Sequence, residues 1–217
     1  MVKNHLKRLA VPRTWPTKRK GITFIARPQA GKLQEISLPL IVVVRDMLQK
    51  CSTSYELKAM LGNNVVVVDG KHRKSVRYPV GLFDIITFTK SNESYRLVFN
   101  SIGTLVMQPV SDVTVLGKVI GKGFVKGQLQ LQLLNGRTVL YTGKDALAVG
   151  DTVTLKEGKV DKILSLQKGA TVVLIGGKHR GKKATVVDIQ GTIISVQVEG
   201  MEFTTKKAYA FVVGDVV

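Results

Sequence analysis

The sequence predicts a multi-domain α+β protein that is mostly β, and three observations carry that reading. Helix signals are confined to the stretch between Ser37 and Leu61. From Val65 onward, short apolar runs alternate with turn dipeptides at the spacing of small barrels. A length of 217 residues allows two or three small domains, each with a modest core. The expected order is a basic N-terminal arm (1–36), a domain of two helices plus a small sheet (37–92), a central β-barrel-like domain (93–167) and a C-terminal β domain (168–217).

The arm carries Lys3, Lys7, Arg8, Arg13, Lys18, Arg19, Lys20, Arg27 and Lys32, with no acid before Glu35. Pro12, Trp15, Pro16 and Pro28 interrupt it, and few apolar residues are placed to form a face. Such a segment is expected to bury too little surface to offset its own ordering entropy, and to be ordered by a polyanion. The whole chain agrees, with a formal charge of +18 and a pI near 10.1. Phosphate backbones supply the missing counter-charge and release condensed counterions on contact. A membrane surface would call for a basic amphipathic helix, which Pro12, Pro16 and Gly21 rule out in the arm.

After the arm, Ser37-Leu38-Pro39 reads as a helix start, with Ser37 as N-cap and Pro39 in the first turn. Thr53-Ser54-Tyr55-Glu56 matches a capping box and opens a second helix through Leu61, ended by Gly62 and Asn63. Val65–Val68, the Asp69-Gly70 turn and Ile85–Phe88 begin the strands. Gln128–Leu134 alternates Gln with Leu, meets Asn135-Gly136 and returns as Arg137–Tyr141, the pattern of a type I′ hairpin. Val172–Ile175 and Ala184–Ile189 flank a glycine-rich loop, and Glu157-Gly158, Gln190-Gly191 and Glu199-Gly200 mark further turns.

Two more basic clusters ride on these turns. Lys71, His72, Arg73, Lys74 and Arg77 follow Asp69-Gly70, where a tight turn would present them on a rigid scaffold as phosphate contacts. Lys178, His179, Arg180, Lys182 and Lys183 lie among Gly176, Gly177 and Gly181. The run Gly176–Lys182 contains G-x-x-x-x-G-K, yet Lys183 stands where a phosphate-binding loop needs Ser or Thr, and a strand pattern follows instead of a helix. Nucleotide hydrolysis is therefore excluded, and the loop is read as an RNA-backbone contact. His5, His72 and His179 fall one in each cluster among cations, so metal ligation is not expected and they serve as phosphate or base-stacking donors. Trp15 either stacks on a base or anchors the arm. Gly121-Lys122-Gly123 reads as a bulge or turn. Cys51 is alone, which excludes a disulfide or a Cys-based zinc site. No grouping of carboxylates or of Ser, His and Asp points to catalysis, and no cofactor is expected.

The longest apolar run, Leu38–Val44, is too short to cross a bilayer, and no secretory leader is recognised, so a cytoplasmic protein is expected. His5–Pro12 followed by Trp15-Pro16 resembles the N-terminal signature of the S-four-e family of archaeal and eukaryotic small-subunit ribosomal proteins. Val65–Lys71 and Tyr78–Ile86 resemble that family's S-four-type RNA-binding domain, and Val172–Ile189 is similar to its KOW motif, carried in an SH3-like barrel. The resemblance implies a structural rRNA-binding constituent of the small ribosomal subunit with no reaction of its own. Its partners would be small-subunit rRNA and neighbouring ribosomal proteins, without membrane or homo-oligomer. The chain stops at Val217, where eukaryotic members continue into a basic tail, so an archaeal-type source is expected. The alternative is a non-ribosomal RNA-binding factor: a ribosome-associated stress or assembly factor, or a transcription-linked KOW protein.

Overall fold

The computed structural model describes residues 5–18, 20–125, 127–143, 146–156 and 158–214. The fold is mostly β, with few helices and several sheets, and divides into two compact units. One comprises Met1–Val98 and Thr104–Val113, the other Phe99–Gly103 and Thr114–Val217.

In the first unit the arm orders itself on the protein, against the expectation from its composition. Strand β1 (Leu6–Lys7) pairs antiparallel with β2 (Phe24–Ile25), setting Leu6 opposite Ile25. Between them Val11 and Trp15 are buried. The Leu105 N–H donates to the Thr14 carbonyl at 2.8 Å, the Thr14 hydroxyl to the Glu35 carbonyl at 2.7 Å and the Trp15 indole N–H to the Gln34 carbonyl at 3.0 Å. One large aromatic with its polar edge satisfied supplies the burial that the arm's apolar count did not promise.

Strand β3 (Ser37–Pro39) stands where the sequence predicts a helix start. A residue before proline is held extended, so Leu38 continues the strand and helical backbone begins only beyond Pro39. The Ser37 hydroxyl donates to the Leu33 carbonyl at 2.8 Å instead of capping. Val42–Met47 then winds as a π-helix, with Val42, Val43 and Val44 buried and the Leu48 N–H reaching back to the Val43 carbonyl at 3.0 Å. Helix α1 (Ser54–Gly62) opens on the expected capping box: the Glu56 N–H donates to the Thr53 hydroxyl, and the Glu56 carboxylate accepts from Thr53 and Ser52. Those backbone donors hold the Glu56 carboxyl below its ordinary pKa. Leu57 and Leu61 carry its buried face.

Strands β4 (Val66–Val68), β5 (Lys71–His72), β6 (Pro79–Gly81), β7 (Ile85–Phe88), β8 (Glu93–Phe99) and β9 (Leu105–Pro109) follow. β6 pairs with β3, and the others form a sheet in the order β5-β4-β7-β8-β9. The β7–β8 hairpin sets Ile86 opposite Tyr95 and Phe88 opposite Glu93. It straddles the boundary expected after residue 92, and residues 93–98 with β9 complete the first unit's sheet rather than opening a new domain.

The second unit holds two five-stranded antiparallel sheets. β10 (Val115–Val125), β11 (Gln128–Leu133), β12 (Thr138–Tyr141), β13 (Thr152–Lys156) and β14 (Lys159–Leu164) run in the order β12-β11-β10-β13-β14. The β11–β12 hairpin forms as expected but not through a type I′ turn, since Gly136 (φ 75°) has positive φ and Asn135 does not. The Gly136 N–H donates to the Leu133 carbonyl and the Leu133 N–H to the Arg137 carbonyl, as in the three-residue loop with glycine at the left-handed position. β15 (Thr171–Leu174), β16 (Lys183–Gln190), β17 (Ile193–Val198), β18 (Met201–Lys206) and β19 (Ala210–Val212) form the second sheet, ordered β18-β17-β16-β15-β19. Val172, Leu174, Val186, Ile194, Val196 and Val212 make its core.

Lys118 of β10 fastens these two sheets. Its buried ammonium donates to the carbonyls of Lys207 (2.9 Å), Ala208 (2.8 Å) and Ala210 (2.5 Å), so all three of its donors are used. Burial, with a smaller contribution from the charge of Lys207, pushes its pKa down to about 8. The folded value lies below the ordinary 10.5, so between about pH 8 and 10.5 the unfolded chain binds more protons, and this group's contribution to stability rises with pH. Lys118→Met strands three carbonyls and is expected to cost about 1–3 kcal/mol in a urea melt at neutral pH. The same variant should lose the rise in stability above pH 8 that the wild-type chain shows.

Candidate nucleic-acid interface

The acids of this chain are placed before its cations. Asp69 is buried and accepts from the Ile85 N–H at 2.7 Å. Asp84 is buried and accepts from the Gly81 N–H at 2.7 Å. Asp151 accepts from the Ala148 and Leu166 N–H groups at 2.7 and 2.9 Å. These three carboxylates hold backbone together inside the units.

In the arm, His5, Lys7, Arg13, Lys18 and Lys20 are exposed and Arg27 is half-buried. Lys3 and Arg19 lie outside the described residues. Three arm residues expected at the RNA are turned inward instead. Arg8 is buried. Lys32 forms an ion pair with Asp84 in which both side chains are almost fully buried, 4% and 1% exposed. Trp15 is 4% exposed, so its ring anchors the arm and has no face to offer a base. Packing partners 19 and 52 residues away along the chain decide both outcomes, Gln34 for Trp15 and Asp84 for Lys32.

The second cluster sits on the β4–β5 turn, where Asp69 (φ 49°) and Gly70 (φ 73°) take the two left-handed positions of a type I′ turn. Lys71, His72, Lys74 and Arg77 are exposed, while the half-buried Arg73 guanidinium lies 4.3 Å over the Tyr78 ring. The arm meets this cluster directly. Arg77 Nε donates to the Arg27 carbonyl at 3.2 Å, and the Gln29 N–H donates to the Arg77 carbonyl at 2.9 Å. Two clusters that lie 50 residues apart in sequence thus meet at Arg27 and Arg77. Tyr78 and Asp84, which position it, were not singled out as functional by their chemistry; the Tyr-Pro and Asp pattern of Tyr78–Ile86 was their only signal.

The third cluster is the loop between β15 and β16. Its glycines are required by close approach. A Cβ on Gly176 would meet the Tyr209 ring at 2.5 Å, and one on Gly181 (φ 85°) would overlap the Asn100 carbonyl oxygen. The Gly181 N–H donates to the Leu174 carbonyl at 2.7 Å, closing the loop onto its own strand. β16 begins at Lys183, so a strand follows the glycines where a phosphate-binding loop would place a helix. Lys178 and Lys183 are exposed. Lys182 is paired with Glu199 at 3.1 Å, and the Arg180 Nε donates to the Ile175 carbonyl at 3.1 Å. His179 stacks on Phe203 with ring centroids 4.2 Å apart, which commits the face it would have lent to a base. Among the described residues, no group of three or more His, Cys, Asp or Glu side chains is gathered as a metal site would require.

Comparison with known proteins decides the family. The sequence model of the RS4NT (NUC023) domain matches residues 2–31 and that of Ribosomal family S4e matches residues 91–173. The small ribosomal subunit protein eS4 of Methanocella arvoryzae is 36% identical over 99% of this chain and 95% of its own length. This chain belongs to the eS4 family. The eS4 of Archaeoglobus fulgidus is 32% identical over 99% of this chain and 94% of that protein. The crystal structure of the 30S ribosomal protein S4e from Thermoplasma acidophilum superposes with a TM-score of 0.67 at 29% identity, covering 83% of this chain and 95% of that one.

The loop geometry separates two glycines of this eS4 chain. Gly177→Ala meets nothing nearer than the Tyr209 ring at 3.9 Å and should cost only the strain of its φ of 83°, about 1 kcal/mol. Gly181→Ala adds a backbone overlap to the same strain and should cost about 2–4 kcal/mol. Denaturant melts of the two variants side by side measure the difference.

Proposed function

We propose that this chain is a structural constituent of the small ribosomal subunit, in the cytoplasm, and that it binds small-subunit rRNA through its arm and basic loops without catalysing a reaction. The observation that carries the reading is the contact of the arm with the β4–β5 turn cluster through Arg27 and Arg77, where Lys71, His72, Lys74 and Arg77 are exposed while Asp69 of the turn is buried and accepts from the Ile85 N–H. Membership of the eS4 family supports it, since the relatives are named as small-subunit proteins. Neighbouring ribosomal proteins complete the set of partners, and no cofactor is needed.

The finer layout belongs to the same proposal. The helical segments with β4–β9 form an S-four-type RNA-binding domain, β10–β14 a central barrel-like domain, and β15–β19 an SH3-like KOW domain. His5, Lys7, Arg13, Lys18, Lys20, Arg27, Lys71, His72, Lys74, Arg77, Lys178 and Lys183 face phosphates. Each phosphate contact they make releases counterions.

An integral constituent stays with the small subunit, one copy per particle, when native particles are sedimented after washing at about 0.5 M salt, where surface attraction is screened. Loss at low salt would instead support the RNA-binding factor. In filter binding to small-subunit rRNA, the double variant Lys71→Ala/Lys74→Ala should bind more weakly. Its log–log salt dependence should be shallower by about two, one for each phosphate contact removed. An unchanged slope would remove these two lysines from the interface.

A further inference from the structure

The three basic clusters leave one part of the surface unexplained. Between Asp112 and Asp145 the sequence contains no acid, and of its cations Lys118 is spent on buried carbonyls while Lys122 is exposed. This acid-free stretch builds the β10–β11 hairpin and β12. β10 pairs with β13 only over Val115–Lys118, whereas it pairs with β11 as far as Val125 opposite Gln128. From Ile120 to Val125 its other edge therefore has no strand beside it among the described residues. Phe124 lies near the end of this projecting ribbon and is 80% exposed, with Ile120 and Val125 of the same unpaired stretch also exposed.

The register explains what the ribbon displays. Lys122 is opposite Leu131 and Phe124 opposite Leu129, so the cation and the ring share one face, about 7 Å apart along the strand. Gln128, Gln130 and Gln132 alternate onto the other face, opposite Val125, Gly123 and Gly121. The Gln132 amide lies across Gly121, where a Cβ would sit 2.8 Å from its oxygen. One face thus combines a bare aromatic plane with a positive charge at roughly the span of one nucleotide, and the other is flat and amide-lined.

We infer that the β10–β11 hairpin is a further RNA contact, in which Phe124 stacks on an unpaired base of the small-subunit rRNA and Lys122 holds the neighbouring phosphate. The inference rests on the ribosomal reading above. RNA is favoured over a protein partner because the stretch is one-signed: a base stacks on an aromatic plane while the same strand's cation meets its phosphate.

The test uses the full-length chain and small-subunit rRNA transcribed from the genome that encodes it, free of other proteins. F124A is expected to melt as the wild type does, because the side chain is exposed. It should bind the rRNA about ten-fold more weakly with an unchanged salt slope, since stacking carries no charge. K122A should instead make the slope shallower by about one. F124W should bind, and the emission of its exposed indole should be quenched on binding while the buried Trp15 provides a constant background. Wild-type binding that F124A leaves unchanged, with no quenching in F124W, overturns this inference alone. Loss of F124A from assembled subunits despite full affinity for naked rRNA would place a protein against Phe124 and overturn it as well. Failure of the wild-type chain to bind at all would overturn the ribosomal reading together with this one.

Discussion

The constraint on which the structure depends is a shortage of negative charge. Fifteen acids accompany thirty-three lysines and arginines, so the cations cannot be neutralised by pairing. Three of those acids sit where one carboxylate fixes most backbone. Asp69 ties the β4–β5 turn to β7, Asp84 joins β6 to Lys32, and Asp151 pins the strand entry at Ala148 and the exit at Leu166. A buried carboxylate satisfied by backbone N–H groups organises a turn more effectively than a surface carboxylate that holds one lysine, because exposed pairs contribute little. Surface pairs such as Lys168–Asp188 do exist, and there the lysine holds the Asp188 carboxyl near pKa 2, but they leave most cations unmatched.

Local chemistry was legible in the sequence wherever the deciding partners were near in the chain. The capping box at Thr53 and the tight turn at Asp69-Gly70 need only three or four residues and formed as expected. The glycine loop is likewise legible as a strand-flanked loop, because Lys183 and the apolar run after it are adjacent to the glycines. The Asn135-Gly136 hairpin was right in existence and wrong in type, since one residue's φ separates the two turns and the dipeptide suits both.

What the sequence hid depends on distant partners. Lys32 resembles every other cation of the arm until Asp84, 52 residues on, is folded against it. Trp15 suits stacking and anchoring alike until the carbonyl of Gln34 accepts from its indole N–H. His179 is a loop histidine until Phe203 meets its ring. Ser37 has the chemistry of an N-cap, but the proline two residues later and the strand Pro79–Gly81 hold its backbone extended. Charge counting finds the interface in outline, and only packing shows which cations have been withdrawn from it.

The division of the chain has a consequence for how the protein is made. The boundary between the units is crossed at residues 98–99, 103–104 and 113–114, so each unit contains a piece of the other's stretch of sequence. The first sheet lacks its final strand until Leu105–Pro109 has been synthesised, by which time Phe99–Gly103, destined for the second unit, is already behind it. No single cut of the chain, by a protease or by an engineered truncation, can therefore release both units intact, and translation cannot deliver them strictly one after the other.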